Sequence, residues 1–129
     1  MRCPSSGWGL KNNRMRHNNK NKILKRKKNQ RRALIAALAK SLVVSGKIVT
    51  TEAKAKALRP IIERMVTHAK ANNLSGRRHV LKLLDPETCR KLFGEIGPRL
   101  AERKGGYTRI LKTQRKRQDR APAVIMEFV

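Results

Sequence analysis

The groups in this sequence that could do chemistry are mostly cations, and the other candidates stand apart from one another. His17, His68 and His79 show no paired spacing of the kind a metal site needs, and they read as surface or RNA-facing groups rather than metal ligands. Cys89 falls on an apolar helix face and reads as a buried structural thiol, since free cysteine packs like a small hydrophobe. Cys3 and Cys89 share no metal-ligand or redox spacing, which suits a reducing intracellular compartment. The acids are isolated, and capping explains Glu52, Asp85 and Glu87 at helix starts. Gly105-Gly106 precedes a strand pattern and lacks the P-loop spacing, so it reads as a turn. Beside Lys104, Tyr107 and Arg109, the same pair lets backbone approach a phosphate closely. No arrangement for an enzyme, a cofactor or a small-molecule substrate emerges.

What the sequence does concentrate is positive charge. Lys and Arg number 33 against 8 Asp and Glu, a formal charge of +25 on 129 residues. Half of the positions from Met15 to Arg32 are Lys or Arg, none is acidic, and no acid occurs before Glu52. Apart from Met15, the only apolar residues of that run are Ile23 and Leu24, too little to offset roughly 1 to 2 kcal/mol of backbone ordering per residue. Fully extended, it could reach on the order of 60 Å. It reads as an arm that orders when a polyanion neutralises it. Solvated faces mix signs, whereas this run and Arg115 to Arg117 do not, which points to polyanion binding. With Trp8, Phe93, Tyr107 and Phe128 scattered, an aromatic stacking platform is not expected, so binding should rest on phosphate and shape.

These cations need a body to hold them. Residues 1–14, rich in Pro, Ser, Gly and Asn, read as a leader, residues 15–30 as the arm, and residues 31–129 as a single globular domain. Leu34, Ile35, Leu38 and Leu42 mark a helix from about Asn29, stopped at Ser45-Gly46. Lys47 to Thr51 favours a strand, and Thr51-Glu52 caps a second helix striped by Leu58, Ile61, Ile62, Met65 and Ala69. Pro60 should kink that helix near Lys56 without ending it, and Asn72-Asn73 should end it. Ser75 is the expected cap of a short helix through Leu84, with Val80, Leu81 and Leu84 inward. Asp85-Pro86-Glu87 starts another, which carries Cys89, Leu92, Phe93 and Ile96 and should stop at Gly97-Pro98. A strand over Tyr107 to Lys112, a basic loop over Thr113 to Arg120, and a last strand over Ala123 to Val129, covered on both faces, complete the chain. The expected fold is α/β (α+β), with helices packed on a small three-stranded mixed sheet. No apolar run is long enough to span a bilayer, and residues 1–14 lack the apolar middle of a secretory signal.

Several of these segments resemble the bacterial-type large-subunit ribosomal protein numbered seventeen, a family also found in organelles. The likeness runs from Met15-Arg16-His17 through the arm to Arg31-Arg32-Ala33-Leu34, then Ile48-Val49-Thr50-Thr51, Ala55-Lys56 and Arg59. It continues in Gly97-Pro98-Arg99, in GGYTRILK from Gly105 to Lys112, and in Ala121-Pro122. The resemblance implies a structural constituent of the large subunit that binds ribosomal RNA near the nascent-chain exit region and neighbours other large-subunit proteins. The setting would be the cytoplasmic ribosome of a bacterium, or an organellar ribosome. Residues 1–14 have no counterpart in the family and are expected to be a misassigned start, a real extension or a targeting remnant, the first being favoured.

The candidate RNA-binding residues begin with Arg16, His17, Lys20, Lys22, Lys25 and Arg26 in the arm, and Lys27, Lys28, Arg31 and Arg32 where it meets the helix. Arg59, Arg99, Arg103, Lys104, Tyr107 and Arg109 belong to the body. Arg115, Lys116, Arg117 and Arg120 join them on charge alone. The rival reading, an architectural DNA-binding protein, would call for a groove-entering helix, a dimer or an inserted apolar wedge, and none is evident.

Overall fold

A computed structural model describes residues 22–116 and 121–129. Helix α1 spans Lys28–Ser45 and ends as its sequence dictates: Gly46 takes a left-handed φ of 73° and its N–H bonds to Leu42 O at 2.8 Å. Strand β1, Lys47–Thr51, leads directly into α2, Glu52–Ala71, with Thr51 at the cap position and Asn72 left-handed at the far end. α2 passes through Pro60 without a break. Its stripe, Ala55, Leu58, Ile62, Met65, Val66 and Ala69, is fully turned into the protein.

The cap of α3, Leu74–Leu81, is Asn73 and not Ser75. The Asn73 side chain accepts the Gly76 N–H at 2.7 Å, the bond a serine two residues later could not make. The helix therefore begins earlier and also ends earlier than its apolar pattern suggests. Val80 and Leu84 are buried as expected, but Leu81 is 42% exposed.

α4, Pro86–Lys91, begins at Asp85-Pro86 as expected, although the Asp85 carboxylate pairs with Lys40 instead of capping. It does not stop at Gly97-Pro98. The chain continues through a wider turn of π type over Leu92–Ile96 and a last short turn, α5, over Gly97–Arg99. Proline is tolerated there because the first turn needs no N–H partner. Gly97 is needed for contact: a Cβ on it would stand 3.3 Å from that of Ala69, so glycine lets this segment lie against α2.

Strand β2, Thr108–Lys116, is longer than the apolar pattern indicated, and its end takes in half of the stretch read as a basic loop. It pairs with β3, Pro122–Phe128, with a shift in register between Lys112 and Lys116. β3 also pairs with β1, giving the order β1-β3-β2. Both pairings are antiparallel, so the sheet is not mixed; the last strand lies between two strands that share a direction. β3 is also not equally covered on its two faces. Val124, Met126 and Phe128 are buried, while Ile125 and Glu127, alternating with them, are partly open.

The fold is thus α+β. Leu42, Leu58, Ile62, Leu92, Leu100 and Met126 are among the largest fully enclosed side chains, and each contributes about 1.5 to 3 kcal/mol by leaving water. They draw α1, α2, the α4–α5 segment and β3 into one core.

Candidate nucleic-acid interface

The approach to α1 is a tight turn in which Leu24 and Lys25 both have left-handed φ, 53° and 50°. The Arg26 N–H closes it on Ile23 O at 3.2 Å. Non-glycine residues adopt this conformation at a cost, so the turn fixes the direction in which the basic stretch meets the helix. Lys27 occupies the cap position, no side chain caps the helix, and its first turn holds no acid. Free N–H groups, the positive end of the helix dipole and Lys27 and Lys28 share one sign. Such a terminus is destabilised alone and satisfied by an anion.

A groove between α1 and α2 continues the same surface. Lys22, Arg31, Lys56 and Arg64 line it, over Ile35 and Ile61, and among the described residues no acid does. Lys22 also borders the next depression, toward the sheet, with Arg59 and Lys112. On the other side Arg32 donates to Lys82 O at 2.9 Å, tying α1 to the end of α3. The result is a belt of cations running across α1, α2 and the C-terminal end of α3.

Some members of the belt have partners. Lys56 pairs with Glu52, and Arg59 Nε donates to Glu63 Oε1 at 3.0 Å. Outside the belt, on β2, Arg109 lies 4.0 Å from Glu127. These pairs are solvent-exposed on the cation side, and such pairs are worth at most about 1 kcal/mol, so a phosphate can displace them. The Lys56 ammonium, by hydrogen bond and charge, holds the Glu52 carboxyl below its ordinary range.

The expected residues separate into groups. Lys22, Arg31, Arg32 and Arg59 fall on or beside the belt. Lys25, Arg26, Lys27 and Lys28 are exposed just ahead of it or at the start of α1. Arg99 at the end of α5 and Arg103 and Lys104 in the connector between α5 and β2 are exposed, and Arg109 is exposed on β2. Tyr107 departs from expectation. It is only 5% exposed and belongs to the core, where Lys70 Nζ lies 5.2 Å from its ring centre and 3.4 Å from its hydroxyl. Its ring therefore shapes the connector from inside and is not offered to a ligand. Arg115 and Lys116 are the last residues of β2. Arg16, His17, Lys20, Arg117 and Arg120 lie outside the described residues.

The sequence points to neither Arg64 nor Lys82 as a contact, and to Lys56 only through the family likeness. The signal was present for two of them: Lys56 and Arg64 stand eight residues apart, two turns of one helix face, with Pro60 between. Lys82 gave no such signal, because it joins the belt only through the packing of α3.

Among the described residues no group of three or more His, Cys, Asp or Glu could hold a metal, and no helix is long and apolar enough to cross a membrane. Cys89 is buried, and burial pushes its thiol up from the ordinary range. Fold and surface together define a small basic α+β protein. The family model described as Ribosomal protein L17 matches residues 34–129, and the chain belongs to that family. It is accordingly a structural, non-catalytic constituent of the large subunit of a bacterial-type ribosome. A relative described as large ribosomal subunit protein bL17, from Hydrogenobaculum sp., is 50% identical over 117 residues, covering 89% of this chain and 99% of the relative.

Proposed function

We propose that this protein binds large-subunit ribosomal RNA by neutralising its phosphates, with residues 15–30 acting as an arm and residues 31–129 as the body that aims it. The acid-free α1–α2 groove, continuous with the uncapped basic start of α1, is the observation that carries this reading. A protein of net charge +25 repels itself, and a polyanion that meets its cations removes that repulsion while releasing counterions. The exposed cations of the connector, Arg99, Arg103 and Lys104, extend the same contact around the body. The family likeness supports a position near the nascent-chain exit region, beside other large-subunit proteins, in the cytoplasmic ribosome of a bacterium or in an organellar ribosome.

Affinity of the full chain for large-subunit RNA, measured across a salt series, tests this. The log-log slope should be about 0.7 to 0.9 per phosphate neutralised. Removing residues 15–30 should reduce that slope and leave the helical signal of the body largely intact. Affinity that does not change with salt would overturn the proposal.

A further inference from the structure

The scattered aromatics argue against a base-stacking platform, yet the fold brings two imidazoles together. His68 on α2 and His79 on α3 have ring centres 4.9 Å apart at an interplanar angle of 50°. They line an open groove of about 700 Å³ between the two helices, with Leu74 at its rim. Leu74 is 64% exposed, the second most exposed large apolar residue after Val49 among those described. Arg64, Arg78 and Lys82 border the same groove, and among the described residues no acid does.

Flat rings and an apolar side chain within a ring of cations match the two chemistries of a nucleotide. Bases stack on histidine as on other planar side chains, and phosphates pair with guanidinium and ammonium groups. The groove is also continuous with the belt already described, since Arg64, His79 and Lys82 line the adjoining depression with Arg32. An RNA strand held at Arg31 and Arg32 therefore has a cationic path to the imidazole pair.

Gly76 permits the close approach of the two helices. A Cβ there would come 3.1 Å from His68 O and 3.2 Å from His68 Cβ, so any larger residue would push α3 back from His68 by a few tenths of an ångström. The pairing of the two rings depends on that approach.

We propose that the α2–α3 groove receives one unpaired nucleotide of the ribosomal RNA, its base against His68, His79 and Leu74 and its phosphate among Arg64, Arg78 and Lys82. This rests on the RNA-binding reading above and adds to it a contact that depends on a base as well as on charge.

The test uses the full chain and large-subunit RNA. His79→Ala, at an exposed position, and the double variant His68→Ala/His79→Ala should each weaken binding, the double by roughly tenfold, with the salt slope unchanged. In parallel, Leu74→Cys in a Cys3→Ser background, labelled with a benzophenone while buried Cys89 stays unmodified, should cross-link to RNA at one unpaired position. Cross-linking within the assembled subunit to protein alone, or to nothing, overturns the proposal, and so does unchanged affinity in a folded His79→Ala protein. The cross-link decides the matter should the double variant fail to fold. Arg31→Ala/Arg32→Ala separates the two readings. A lowered salt slope there with silent histidine variants defeats the groove alone, whereas salt-insensitive binding throughout defeats the RNA-binding reading itself.

Discussion

Cys89 shows how a single side chain can be chemically capable and yet withdrawn from chemistry. It is buried in the core, and burial raises its thiol above the ordinary range, although Arg77 opposes the shift. In a Cys3→Ser protein, thiol reagents at pH 8 should react with Cys89 only at the rate of unfolding; prompt reaction in the native state would contradict its placement. Glu52 behaves in the opposite sense. Lys56 lowers its carboxyl in the folded protein, so the stabilisation is present above the unfolded value and fades as pH falls through the folded one. An acid titration followed by circular dichroism should show a small loss in that range, and Glu52→Gln should abolish that part of it. The thiol's burial was legible from its apolar helix face. The burial of Tyr107 was not, because a tyrosine between Gly106 and Thr108 in a basic neighbourhood has the same sequence signature whether it faces in or out.

Elements were legible wherever local chemistry decides them. Gly46 ends α1, Asp85-Pro86 begins α4, and β1 is a short β-branched run, all determined by residues within a turn of the feature. Errors arose where packing against a distant element decides. Gly97-Pro98 has the pattern of a helix stop, but Gly97 serves contact with Ala69 and the chain stays helical around it. α3 likewise depends on Asn73 for its cap and on Gly76 for its approach to α2. Gly76→Ala should therefore cost about 1 to 3 kcal/mol, measured by denaturant unfolding, because the new methyl meets both His68 and the capping oxygen. An unchanged midpoint would mean that α3 can swing away freely. Pro60→Ala should act the other way. It restores the N–H that can reach Lys56 O within α2 and should stabilise the protein by at most about 3 kcal/mol, read as a higher thermal midpoint.

For the molecule as a whole, charge and fold are nearly separate problems. The core is an ordinary one, and Met126→Ala at the centre of the sheet should cost about 2 to 5 kcal/mol with helices and sheet melting together. The cations lie outside it, and their effect should appear in salt dependence and not in packing. The belt could not be assembled from sequence alone, since Arg32, Arg64 and Lys82 meet only when three helices are docked. The order β1-β3-β2 has a consequence for how the protein is made. β1 and β2 have no ladder with each other and both wait for β3, the last of the three to be synthesised. Neither β1 nor β2 can therefore complete its ladder until residues 122–128 are available, so both outer strands of the sheet depend on the last stretch of the chain.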